Sequence, residues 1–316
     1  MLPMETIDLN KLALPDRGLA LVPDGELTRV LASAIEEDGV LRGDITTSSI
    51  VPEGREVVAE FVSRDSGVLA GMDLLVRASQ LAPLAGRVRI EACLEDGRLI
   101  TSGQVVGRIH GTWRDVLTFE RTLLNLVSRL CGVATRTARF VAAAGNGVLV
   151  TDSRKTTPGL RLMEKYAVAC GGGYLHRIGL DDAVMYKDNH LAAVAPESLA
   201  STLSEAIRRA RADRSLRFIC VEVDRLQQLD VVLSLDMGLV DIVLLDNMDP
   251  STLREAVRRR DACESRMLLE ASGGVTLETV AAIAATGVER IAVGSITHGA
   301  TWLDIGLDIQ IDEVPR

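Results

Sequence analysis

Arg154, Lys155 and Arg161 surround a Thr-Thr-Pro-Gly turn in the stretch Thr151-Asp-Ser-Arg-Lys-Thr-Thr-Pro-Gly-Leu-Arg161, directly after the apolar run Gly147-Val-Leu-Val150. Basic residues gathered where a buried strand runs out into a loop make a prepared anion site, because guanidinium forks and ammonium groups match carboxylate and phosphate oxygens. Gly171-Gly-Gly-Tyr-Leu-His-Arg177 and Lys187-Asp-Asn-His190 continue the theme, with His190 either a member of the site or only an organiser of its loop. Two acids, Glu222 and Asp246, fall in the same half of the chain. Carboxylates in a site built for anions need a cation or hydroxyl groups to meet. Ser272-Gly-Gly274 and Gly294-Ser295 are short turns whose backbone N–H groups can cradle a phosphate, although glycine also simply permits tight turns.

Lysine usage points to the same region. Of 35 lysine and arginine residues only Lys11, Lys155, Lys165 and Lys187 are lysine. A chain that uses arginine nearly everywhere keeps lysine where a compact ammonium fits and a planar guanidinium does not. Lys155 and Lys187 read that way, while Lys165 reads as a solvated surface residue.

The positive charge is local, since the chain as a whole carries a formal net charge of -9. Nucleic acid and anionic membrane both need a broad positive field, so neither is expected as the main partner. The start Met-Leu-Pro-Met-Glu-Thr-Ile-Asp lacks a basic and then apolar pattern, and the apolar runs are short, so neither secretion nor a membrane span is expected. Cys93, Cys131, Cys170, Cys220 and Cys263 are scattered and form no Cys-x-x-Cys pair, which reads as core thiols in a reducing cytoplasm.

Two regimes position these residues. Residues 1 to about 25 read as irregular, and Leu27 to Glu37 has helical spacing ending at Asp38-Gly39. Alternating runs at 57–62, 88–93 and 105–109 predict a small antiparallel sheet, and 117–144 a long helix. After Gly147, strands at 148–150, 183–186, 218–223, 242–245, 267–271 and 290–294 alternate with helices such as 198–212 and 276–286. Six strands separated by helices imply parallel pairing and favour an α/β barrel over an open sheet. Lys187, Glu222, Asp246, Ser272 and Ser295 each lie at or just past the carboxyl end of a strand, the rim where barrels place their chemistry.

Six motifs in order, Asp152–Arg161, Gly171–Arg177, Lys187–His190, Leu245-Asp-Asn-Met248, Glu270-Ala-Ser-Gly-Gly-Val275 and Val293-Gly-Ser-Ile-Thr-His298, resemble those of the quinolinate phosphoribosyltransferase family, over about residues 27–309. The resemblance implies an incomplete parallel α/β barrel over 127–299, preceded by a smaller α/β open sandwich over 1–126 on which 300–316 packs back. It also implies a homodimer. The implied reaction joins quinolinate to phosphoribosyl pyrophosphate with Mg2+, giving nicotinate mononucleotide, pyrophosphate and CO2. By motif match, Arg154, His176, Arg177 and Lys187 bind quinolinate, with Arg121 reaching in from the partner subunit. Lys155 and His298 suit the pyrophosphate. Glu222 and Asp246 meet ribose hydroxyls and Mg2+, and Ser272, Gly273, Gly294 and Ser295 cradle the 5′-phosphate. Lys155, Lys187, Glu222 and Asp246 form the implied catalytic set. Ser153, Leu175 and Tyr186 depart from the commonest family wording. Two rivals are a related phosphoribosyltransferase-like protein of the molybdenum-transport-associated type, against which Arg121, Arg177 and Lys187 argue, and an inactive anion-binding paralogue, which would have lost Glu222, Asp246 or the basic set.

Overall fold

The computed structural model describes residues 8–310; the readings of residues 1–7 and 311–316 lie outside the described residues. The chain divides into two compact units interleaved along its length. One comprises residues 8–10, Arg139–Lys155 and Gly173–Ser295; the other comprises Lys11–Ala138, Thr156–Gly172 and the segment from Ile296 onward. The second unit thus carries the chain past residue 126 and takes back 156–172.

In that second unit lie β1 (Glu56–Ser63), β2 (Gly67–Val68), β3 (Val88–Ala92), β4 (Leu99–Ile100) and β5 (Val105–Thr112). β1, β3 and β5 join the C-terminal strand Ile305–Gln310 in an antiparallel sheet, with β1 between that strand and β5, and β3 beyond β5. Alternation does the sorting: Val57, Ala59 and Phe61 are buried while Glu56 is exposed. The helix Trp113–Ala144 starts four residues before its expected position and buries Phe119, Leu123, Val127 and Leu130 along one stripe.

The first 25 residues are not irregular throughout. Leu14–Leu21 is a helix with Pro15 in its first turn, the one helical position where a missing N–H costs nothing, and the next helix, Asp24–Glu37, already begins after Pro23. Lys165 also corrects its reading. It sits in the helix Arg161–Cys170, wholly buried, next to Glu164. The Glu164 carboxylate accepts from Arg129 Nη2 at 2.7 Å and from the Thr157 N–H and hydroxyl at 3.1 and 2.7 Å. Arg129 completes its fork on the carbonyl oxygens of Thr297 and Ala300. Such a fully bonded buried pair fixes the Thr-Thr-Pro-Gly turn from beneath.

Asp96 caps the helix Met72–Ala78. It accepts from the Gly71 and Met72 N–H groups at 2.8 and 3.0 Å and from the Tyr166 hydroxyl at 2.9 Å. Burial, with the nearby charge of Asp73, pushes its carboxyl up from 3.8 to about 6. The folded state therefore holds a proton here that the unfolded chain gives up near 3.8, so this stabilisation is present below 3.8 and lost as pH rises through 6. Asp96→Asn removes the titration and is expected to be destabilising at acid pH, with its deficit against the parent narrowing by about 2 kcal/mol between pH 4 and pH 7. Urea unfolding at the two pH values checks this; a deficit independent of pH refutes it.

The other unit carries β6 (Leu149–Thr151), β7 (Val184–Tyr186), β8 (Ile219–Val223), β9 (Ile242–Asp246), β10 (Leu268–Ser272) and β11 (Arg290–Ala292), after which β12 is the Ile305–Gln310 strand of the small sheet. The six strands pair in parallel in the order β6-β11-β10-β9-β8-β7. Ile242, Val243, Leu244 and Leu245 are all buried, as a strand covered on both faces requires. β6 and β7 remain edges without a ladder between them, so the barrel is incomplete. A parallel bridge from Thr151 to Tyr174 covers the outer edge of β6, through Tyr174 N–H to Val150 O at 2.8 Å and Asp152 N–H to Tyr174 O at 3.1 Å. The helix expected over 276–286 is α-helical only over Val280–Ala284, because the Thr279 hydroxyl bonds the Thr276 N–H and carbonyl and replaces the first helical turn. Among the cysteines, Cys131, Cys170 and Cys220 are core thiols, whereas Cys93 and Cys263 are exposed. No described helix is long and apolar enough to cross a membrane.

Candidate active site

The carboxyl ends of the parallel strands bring the singled-out residues to one rim. Lys187 follows β7, Glu222 is the penultimate residue of β8, Asp246 and Ser272 end β9 and β10, and Gly294-Ser295 follow β11. Asp246 and Ser272 stand opposite each other in the ladder. Arg154 and Lys155 leave the end of β6, and His176 and Arg177 follow the Tyr174 bridge on its edge.

Two guanidinium groups share this side of the rim. Arg177 is half-buried, and its pKa is lowered first by burial and then by the positive charge of Arg154. Arg154 Nε is buried without a hydrogen-bond partner among the described residues. Like charges held together with an unspent donor cost energy unless an anion arrives to bridge them. Their placement comes from below. The His176 N–H donates to Asp152 Oδ1 at 2.7 Å, and His176 Nδ1 accepts from the Arg177 N–H at 2.7 Å. The Leu175 backbone is bonded twice to Asn10, its N–H donating to Oδ1 at 2.7 Å and its carbonyl accepting from Nδ2 at 3.0 Å. Leu175 is therefore a buried strut, which accounts for an apolar residue at that position. Ser153 Oγ accepts the Lys155 N–H at 3.1 Å and shapes the turn as a threonine hydroxyl would.

At the ends of β7 and β8, Lys187 Nζ donates to Glu222 Oε2 at 2.7 Å. His190 orders the Lys187 turn, with its Nδ1 accepting the Lys187 N–H at 3.0 Å. Glu222, Asp246 and Asn247 border a cavity of about 830 Å³, whose inner walls include Leu203, Val221 and Val232. The basic pair is not among its walls. Asn247 has a left-handed φ of 54° and bonds Asp246 Oδ2 through its side-chain nitrogen at 2.7 Å, and its N–H donates to the Ser272 carbonyl at 2.9 Å. A Cβ on Gly273, at φ +93°, would lie 2.1 Å from Asn247 Oδ1, so only glycine lets the two turns approach.

Arg121 and His298 fall in the second unit. Arg114 on the same helix is tied to Val51 and Glu53, whereas the Arg121 side chain is 66 % exposed, with the Glu120 carboxylate 3.9 Å away. His298 ends a one-turn helix, Ser295–His298, and is exposed. Arg161 turns aside to donate to Thr156 Oγ1 at 3.2 Å.

Residues 44–131 match the family described as quinolinate phosphoribosyl transferase, N-terminal domain, and residues 133–308 match its C-terminal domain. The chain belongs to the quinolinate phosphoribosyltransferase family. Among relatives of this quinolinate phosphoribosyltransferase-family chain, the nicotinate-nucleotide pyrophosphorylase (carboxylating) of Mycobacterium leprae is 42% identical over 277 residues, 87% of this chain and 94% of that protein. A probable enzyme of the same name from Bacillus subtilis is 36% identical, covering 90% and 94%. The solved structure of the nicotinate-nucleotide pyrophosphorylase from Francisella tularensis superposes with a TM-score of 0.79 at 31% identity, over 96% of this chain and all of that one. The fold, an incomplete barrel with a smaller antiparallel sheet, is thus shared with that solved structure. Sequence reasoning missed Asn247, Asp152, Thr151 and Glu270, although the motifs contain all but Thr151 or abut it.

Proposed function

We propose that this chain transfers the phosphoribosyl group of phosphoribosyl pyrophosphate to quinolinate and releases CO2, forming nicotinate mononucleotide and pyrophosphate in de novo NAD synthesis. The observation that carries the reading is the Arg154–Arg177 pair, two neighbouring cations with a buried, unspent Nε–H. Quinolinate offers two adjacent carboxylates, the dianion that such a pair calls for. Lys187 takes its part by exchanging Glu222 for a substrate carboxylate. That frees Glu222, together with Asp246, to face the ribose hydroxyls and the positive charge that develops at the anomeric carbon as the C–O bond to pyrophosphate breaks. The pyridine nitrogen lone pair forms the new bond to that carbon. The C–C bond to the adjacent carboxylate then breaks, its electrons stay on the ring carbon beside the cationic nitrogen, and that carbon takes up a proton.

Mg2+ would supply charge neutralisation of the pyrophosphate. Glu222 and Asp246 fit it as a cation that arrives on substrate oxygens and keeps its waters, since no group of three His, Cys, Asp or Glu among the described residues could hold a metal alone. Lys155 and His298 are assigned to the pyrophosphate, and Ser272, Gly273, Gly294 and Ser295 to the 5′-phosphate. The reading includes a twofold homodimer in which the exposed Arg121 serves the partner's site.

The test is an assay of purified protein with phosphoribosyl pyrophosphate and Mg2+, followed for nicotinate mononucleotide. Quinolinate is expected to give product and nicotinate none detectable, because one carboxylate leaves the paired guanidinium groups partly uncompensated. Comparable turnover of nicotinate overturns the assignment.

A further inference from the structure

We infer that Asp182 and Asn10 are positioning residues for the quinolinate site, clasping from both ends the segment that carries His176 and Arg177; the inference rests on the reading of that site given above. Residues 175–183 lie outside every helix and strand, so past the Tyr174 bridge no ladder holds them. Side chains supply the missing bonds. Before Arg177, the Asn10 amide takes both backbone groups of Leu175. After it, the Asp182 carboxylate takes two successive N–H groups, that of Ile178 on Oδ2 at 2.8 Å and that of Gly179 on Oδ1 at 2.9 Å. Arg177 thus stands two residues beyond one clamp and one residue ahead of the other.

Asp182 is itself fixed to the barrel. Its Oδ2 also accepts from Arg217 Nη1 at 3.0 Å, and its carbonyl accepts the Arg217 N–H at 2.9 Å, just before β7 and β8 begin to pair. The Arg217 and Asp182 side chains are only 19 % and 15 % exposed. The Arg217 guanidinium lies 6.0 Å from the centre of the Phe218 ring, and that ring packs edge-on to His176 at 5.0 Å. A carboxylate that meets three donors, one of them charged, is held in a single orientation, and it passes the placement of the β8 start on to the turn after Arg177. As a charge, Asp182 works against the site. The Arg177 pKa is lowered by burial and by Arg154, and Asp182 is among the groups that oppose this shift. A carboxylate near enough to act on Arg177 also repels an incoming dianion. Positioning and plain electrostatics therefore predict opposite signs when the charge is removed.

Asp182→Asn keeps the size of the side chain but turns an NH2 group towards donors, so one oxygen is left for the Ile178 and Gly179 N–H groups and Arg217. KM for quinolinate is expected to rise at least about fivefold, while kcat and KM for phosphoribosyl pyrophosphate stay within about twofold. A lowered or unchanged KM for quinolinate, or a loss shared by both substrates, overturns the proposal. Backbone amide exchange reads the cause without any turnover. The Ile178 and Gly179 amides are expected to exchange at least about tenfold faster in this variant, with those of β9 unchanged. Exchange unaltered at the two amides, or accelerated in β9 as well, refutes a local clasp. Asn10→Ala decides independently of whether Asp182→Asn folds. It frees the Leu175 N–H and carbonyl, and is expected to raise KM for quinolinate about threefold or more and to leave KM for phosphoribosyl pyrophosphate as in the parent. A quinolinate KM equal to the parent's in this variant also overturns the proposal. Parent protein inactive on quinolinate would instead overturn the function proposed above and would leave the exchange result standing.

Discussion

Arg121→Ala and Lys187→Ala are each expected to be nearly inactive alone, and to recover roughly a quarter of the parent activity when co-refolded in equal amounts. Lys187 sits on the rim of its own barrel, at the end of β7. Arg121 projects an exposed side chain from the long helix, with the Glu120 carboxylate 3.9 Å away. In the proposed twofold dimer, half of the dimers formed on mixing carry one of each variant. Symmetry then places both lesions in one site and leaves the other intact. No recovery, with subunit exchange confirmed by differently tagged chains, would put Arg121 in its own subunit's site or outside any site.

Lys187→Arg is expected to cost at least about tenfold in kcat/KM, on the order of 1.4 kcal/mol, although it conserves charge. The Lys187 ammonium meets a single Glu222 oxygen at 2.7 Å and remains 39 % exposed, so it can leave that partner for an incoming carboxylate. A guanidinium would grip both Glu222 oxygens in a planar fork, hold the acid away from the ribose and fill the space in front of it. Activity near the parent's would make Lys187 an ordinary surface lysine.

The rim was legible because its chemistry is local in sequence. Each of Lys187, Glu222, Asp246 and Ser272 ends an apolar run, and period and polarity alone place such residues at strand ends. The supports beneath the rim were not legible. Glu270 stands inside an apolar run and pairs with Thr151 and Arg290, residues 119 and 20 positions away, and no spacing rule joins them. Lys165 was misjudged for a related reason: in the helix Arg161–Cys170 every residue from Met163 onward is buried, so the helix is enclosed all round and has no solvated face to be read from amphipathic spacing. Leu14–Leu21 was hidden by its proline, which breaks a helix anywhere but in the first turn.

The placement of the lysines makes the chain an unusual substrate for amine chemistry. Lys165 is shut inside, which leaves Lys11 on the surface and Lys155 and Lys187 at the rim. Acylating dyes, amine-coupled sensor surfaces and lysine crosslinkers will therefore find their lysine targets at Lys11, Lys155 and Lys187, and under the function proposed above substrate is expected to protect the last two from labelling. Immobilisation of this protein calls for a thiol route, through exposed Cys93 or Cys263.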